Sequence, residues 1–158
     1  MNTTLLILAH TTHIVAICVW IGVMLFNLIV GFPLLRARSN SILEYTQWLS
    51  EQGVKAAPWL YLLIGTTFIS GWMIYFGTPH WREAQVNSDF LSDFAIKNAL
   101  LLVMLGCHLH STYYVWPRIF FAVEHELQPL ITRYQITILM SAAIGLTAIA
   151  LAATRLVY

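Results

Sequence analysis

The sequence predicts an all-α integral membrane protein, an antiparallel four-helix bundle with a short interfacial helix in its first loop. Three observations predict it. Four stretches, at roughly residues 4–32, 58–77, 93–116 and 135–154, are long and apolar; about 20 helical residues cross a hydrocarbon core. The 158 residues are 59% apolar and only 9% charged, with mean hydropathy +0.72. A soluble domain carries about a quarter charged residues, so this surface could not stay wet. The connections are short, which makes neighbouring spans antiparallel within a single domain, residues 1–158.

The first span begins MNTTLLILAHTTH, with no positive leader, and its apolar run continues past residue 30. It reads as a retained span rather than a secretory signal, longer than needed and therefore tilted or protruding. In the first loop Ser41 followed by Glu44 forms a capping-box pattern that opens a short helix, SILEYTQWLSEQ. Its Ile42, Tyr45, Trp48 and Leu49 are expected in the membrane interface. The spans carry aromatic residues towards their ends, among them Trp59, Trp72, Tyr75, Tyr113, Trp116 and Tyr134, which favours headgroup level. Thr67 with Gly71, and Ser141 with Gly145, are small residues four apart that permit close helix contact. Pro117 is expected to end the third span by removing a backbone donor. No internal repeat stands out.

Arg36, Arg38 and Lys55 lie between spans one and two, and Arg118 and Arg133 between spans three and four. The opposite side has Arg82 and Arg155, with Glu83, Asp89 and Asp93. This bias places the first and third loops in the cytoplasm and both termini outside, as in a bacterial inner-membrane protein. The near-neutral balance, +1 overall, gives no basic patch for nucleic acid. Cys18 and Cys107 fall inside apolar runs and form no disulfide framework or haem-attachment motif. Hydrolysis has no nucleophile elbow, metalloprotease helix or phosphate loop to carry it.

Five titratable side chains fall within the expected spans: His10, His13, Lys97, His108 and His110. Such groups are costly in lipid and face the bundle interior or a cavity. His13, Trp20 and Asn27 recur every seven residues on one stripe, with His10 a turn above. Lys97, Leu101, Met104 and His108 share a face of span three, and His110 points almost the opposite way. Imidazoles projecting between helices into an apolar, aromatic-lined slot suit a b-type haem. His13 with Trp20 and Gly22 has that character, and His108 and Lys97 compete as its partner, with His10 as a further iron-ligand candidate. From the span ends, His13 lies about 14 Å deep, His108 about 20 Å and Lys97 about 6 Å, which leaves both partners open. One haem b, or two with one towards each face, are consistent with this set. Lys97 also reads as a snorkelling residue, and His80 and His125 as loop residues. Met104, Cys107 and His108 form a copper alternative, since soft and imidazole ligands suit that ion.

The segment from His13 through Trp20 and Gly22 to Phe26 resembles the first span of the HemJ-type bacterial protoporphyrinogen oxidases, and equally the membrane domain of the CopD copper-resistance family. Lys97-Asn-Ala-Leu-Leu-Leu-Val, with His108 eleven residues on, is similar to the third span of the HemJ group. The resemblance covers roughly 45 residues in two spans. It implies a four-helix haem b membrane protein in which His13 and Lys97 are linked to haem and activity. The fourth span, YQITILMSAAIG, departs from the Asn-Glu-x-Pro of that group, as in a distant member.

The expected function is electron transfer or redox chemistry on membrane haem, with quinone or porphyrinogen as the reacting partner. The chain would act as a homo-oligomer or as a subunit of a larger respiratory-type complex. The alternatives are CopD-like copper handling and a cofactor-free structural subunit.

Overall fold

A computed structural model describes residues 2–77 and 88–154. The described residues form four long helices and no strand. Helix α1 runs Thr3–Phe26, passes through a π-helical turn at Asn27–Gly31 and continues as Phe32–Arg38. Helix α2 is Ile42–Gly77. Helix α3 runs Ser88–His110, passes through a π turn at Ser111–Val115 and continues as Trp116–Phe121. Helix α4 is Glu124–Thr154. Each is long and apolar enough to cross a membrane.

The helices are longer than the sequence predicts, and the expected loops are mostly helix. Pro117 does not end α3, because the π turn precedes it, just as one precedes Pro33 in α1. A proline ring collides with the carbonyl four residues back and supplies no N–H. A π turn widens the hydrogen-bonded ring by one residue, which moves that carbonyl aside and lets the helix continue. The same order, π turn then aromatic residue then proline, occurs as Phe32-Pro33 and Trp116-Pro117.

The expected interfacial helix is the first part of α2, continuous with the second span across Pro58. At about 1.5 Å per residue its 36 residues extend roughly 54 Å, well beyond a hydrocarbon core of about 30 Å. Its apolar face does not lie free at an interface. Tyr45 and Leu49 are only 2% and 3% exposed, packed with Phe32, Val115, Ile119, Leu127 and Ile131. Of the residues expected in the interface, Trp48 stays outside, at 49%.

The capping box forms with one change. Ser41 Oγ accepts the Glu44 N–H at 3.1 Å, and the Glu44 carboxylate accepts the Asn40 N–H at 2.7 Å rather than that of Ser41. Ser41→Ala is expected to cost about 1 kcal/mol in stability, read as a lower thermal midpoint and faster amide exchange in the first turn of α2.

Packing is most extensive between α1 and α2 and between α3 and α4, with α1–α4 and α2–α4 contacts joining the pairs. Large side chains bridge α2 and α3. Tyr75 stacks on Phe94 with ring centroids 3.8 Å apart, and Tyr61 meets His108 edge-on at 5.4 Å. Gly53 lies under Trp116, whose ring is 3.9 Å from where a Cβ would stand. Residue numbers therefore fall along α3 as they rise along α2.

Two apolar clusters form the interior. The Tyr45–Leu127 cluster fills the end where the α1–α2 and α3–α4 links lie. A central cluster comprises Trp20, Ile21, Met24, Ile64, Met104 and Ala142. Gly145 brings α4 close here: a Cβ on it would stand 2.7 Å from Ile21 Cδ1 and 3.0 Å from Met104 Cε. Nearby Ser141 is buried with no hydrogen-bond partner for its hydroxyl. Ser141→Ala removes that unmet group, and its thermal midpoint is expected to equal or exceed the wild-type value. Outward faces carry large apolar residues, including Ile7, Ile29, Trp59, Ile69, Leu102 and Leu139. A water-soluble monomer rarely shows apolar patches on this scale.

Candidate functional site

The site begins with one histidine in an apolar helix. His13 lies half-buried on α1, facing α2. Its Nδ1 is 3.0 Å from the Thr67 carbonyl oxygen and 3.1 Å from Ser70 Oγ. A carbonyl only accepts, so Nδ1 carries the proton and donates. The Ser70 hydroxyl donates to the Thr66 carbonyl at 2.5 Å, which turns its lone pairs towards Nδ1. In the neutral imidazole Nε2 is then the unprotonated nitrogen, with its lone pair available to a ligand. Hydrogen bonding of the other ring nitrogen is how metal-bound histidines are oriented.

Gly71 makes room for the ring. A Cβ there would be 3.1 Å from His13 Cε1 and 3.5 Å from Nδ1. The Thr67/Gly71 pair, expected from sequence as a packing motif, thus seats a histidine between two helices. Thr67 itself is fully buried and returns its hydroxyl to the Leu63 carbonyl at 2.8 Å. Sequence reasoning missed the Thr67 carbonyl and Ser70. A backbone acceptor leaves no mark in a sequence, and a lone serine in a span is ordinary.

The partner for His13 on α3 follows from the level of each group. Along α2, His13 stands at Thr67–Gly71, whereas His108 stands at Tyr61. Six to ten residues separate these points, about 9–15 Å at about 1.5 Å per residue. His13 and His108 are therefore too far apart along the bundle to be the two axial ligands of one iron. Phe94 faces Trp72 and Tyr75, and Lys97 lies about one turn further along α3, which brings it level with His13 to within about a turn. Helix α3 starts at Ser88, five residues before the expected start of the third span.

The other candidates take distinct places. His10 is exposed on α1. Trp20 is 1% exposed in the central cluster, two turns from His13. His108 is half-buried, and its Nε2 is a buried atom with no hydrogen-bond partner. His110 is exposed and stacks on Tyr114 at 4.9 Å, on the face the helix geometry predicts. His125 is exposed in the first turn of α4 rather than in a loop. Met104 is buried, Cys107 is half-buried and Cys18 is exposed. Among the described residues, no three of His, Cys, Asp and Glu gather to hold a metal ion. His80, Trp81, Arg82, Glu83 and Arg155 lie outside the described residues, as do the side chains of Asp89 and Asp93.

No family model, curated protein or solved structure matches this chain.

Proposed function

We propose that this chain is an integral membrane protein of the bacterial inner-membrane type, four antiparallel spans that hold a b-type haem on His13 and carry electrons within the bilayer. The membrane reading is supported by four helices of sufficient length and apolarity and by their apolar outward faces. The reversed order of contacts along α2 and α3 supports the antiparallel arrangement. Arg36, Arg38, Lys55, Arg118 and Arg133 fall towards the link end of the bundle, and the positive-inside bias puts that end in the cytoplasm.

One observation carries the haem reading: the His13 imidazole is anchored through Nδ1 by Thr67 and Ser70, with Nε2 left unprotonated. A purely structural histidine in lipid needs both nitrogens satisfied, whereas a ligand needs one held and one open. Trp72, Tyr75 and Phe94 give that end of the bundle an aromatic wall. Lys97 is the level group on α3, a cation suited to a haem carboxylate. When bound, haem supplies one-electron transfer; the chain sets its potential through the axial ligand and burial. The likeness of the first and third spans to the HemJ group points to the same two residues. Quinone or porphyrinogen is the proposed class of redox partner, met by the chain alone or within a larger complex.

A reduced-minus-oxidised spectrum of the detergent-purified protein tests this. Soret and alpha bands of a b-type haem are expected. Copper without haem absorbance would favour the copper reading, and co-purification with a larger complex without a spectrum would favour a structural subunit. In His108→Leu the haem bands of the His13 site are expected to remain, with stability equal or higher because an unmet buried nitrogen is gone. Loss of all haem in that variant would move the ligand to His108.

A further inference from the structure

At the link end, where α3 finishes and α4 begins, a groove of about 780 Å³ opens between the two helices. Its polar wall comprises Arg118, Arg133, His125 and Glu126, and Phe121 and Leu130 line its apolar side. Neither guanidinium has a carboxylate partner: among the described residues the ion pair is Lys55–Glu51. The Glu126 carboxylate is engaged with the Val123 N–H at 3.4 Å, at the first turn of α4. Arg118 is also positioned in advance, its guanidinium 3.8 Å from the centre of the Tyr114 ring. Stacking on an aromatic face holds the planar fork in place while its edges remain free to donate.

Two cationic forks and an imidazole facing one engaged carboxylate select an anion with several acceptor oxygens. Phosphate is the group that guanidinium forks match best. The apolar side of the groove selects further. Phe121 is 82% exposed, a large ring beside two arginines that meets the neighbouring Phe120 edge-on at 5.3 Å and is otherwise largely open. A free phosphate has no use for that surface; an acyl chain does. Arg118 stands in the last turn of α3 and Arg133 in the third turn of α4, and on the membrane reading this end of the bundle lies at the depth of lipid headgroups. Basic pockets between spanning helices on the cytoplasmic side bind anionic headgroups.

We infer that the α3–α4 groove binds an anionic phospholipid, with Arg118 and Arg133 on the headgroup phosphate and Phe121 and Leu130 along an acyl chain. The site rests on the membrane reading and is independent of haem.

The full chain, purified in detergent, is titrated with phosphatidylglycerol, with phosphatidylcholine and with inorganic phosphate, and its thermal midpoint is followed. Phosphatidylglycerol is expected to raise the midpoint by several degrees more than phosphatidylcholine, less so at high salt. Arg118→Gln with Arg133→Gln is expected to weaken the apparent affinity for phosphatidylglycerol at least tenfold while leaving the midpoint in phosphatidylcholine unchanged. Equal effects of the two lipids, or a double variant that keeps the full response, would overturn the site. Saturation of the effect by inorganic phosphate alone would also overturn it, marking a small-anion site. Release of the chain from cell membranes without detergent would instead contradict the membrane reading, which separates the two failures.

Discussion

Purified His13→Ala is expected to lose the Soret and alpha bands while keeping wild-type helix content. The expectation follows from the way the imidazole is held. Nδ1 is committed to the Thr67 carbonyl and the Ser70 hydroxyl, so a single nitrogen remains for iron, and alanine removes it. Neither His10, exposed a turn away, nor His108, about 9–15 Å further along the bundle, stands where it can replace that nitrogen. The fold should tolerate the change, because the central cluster around Trp20 and the cluster around Tyr45 do not include His13. Haem content is read against protein concentration, and circular dichroism reports the helices. Full retention of the bands would place the ligand elsewhere.

Gly71→Leu is expected to produce the second large effect, without touching the histidine. A Cβ at position 71 already stands 3.1 Å from His13 Cε1, and leucine adds three further carbons in the same place. Either the ring leaves the Thr67 carbonyl or α1 and α2 separate. Overpacking of this kind costs about 1–3 kcal/mol, and loss of a partner that orients a metal-bound histidine weakens binding by about 10–100-fold. Ser70→Ala provides the graded comparison, because it removes one of the two acceptors and leaves the glycine seat intact. It is expected to lower haem affinity less than Gly71→Leu and to leave the thermal midpoint nearly unchanged. Haem titration of the apoprotein together with thermal unfolding measures both. An unaltered affinity in Gly71→Leu would show that the position of the His13 ring has no bearing on binding.

The four long apolar helices were legible because a long apolar run is a local property and four of them follow one another in the chain. Their ends were not. Pro117 was expected to end its helix and the stretch 118–134 to be loop, yet apart from Ala122 and Val123 it is helix, and the short helix expected at residues 41–52 runs on into the second long apolar stretch, because π turns carry α1 and α3 through their prolines and the Tyr45 face finds a protein surface to cover it. A helix that is apolar nearly all round also gives little sign of which face turns inward. The histidines provided that sign for α1 and α3, as polar groups that lipid does not accept. His13 was therefore readable from its stripe, and the turning away of His110 from its angle. Which residue stands level with His13 was not readable. That depends on the register between α1 and α3, which are not consecutive and are related through α2, by His13 against Thr67 and Gly71 on one side and Tyr61 against His108 and Tyr75 against Phe94 on the other. The Thr67 carbonyl, the group that sets the tautomer of His13, belongs to the backbone and has no signature in residue type.

Haem per chain in the wild-type protein, quantified as the pyridine complex of a detergent-purified sample, tests the central claim most directly. About one haem b per chain is expected for the His13 site, and a value near two would add a second at His108. A pure, helical protein with no haem in membranes where other b-type cytochromes are fully loaded would contradict it.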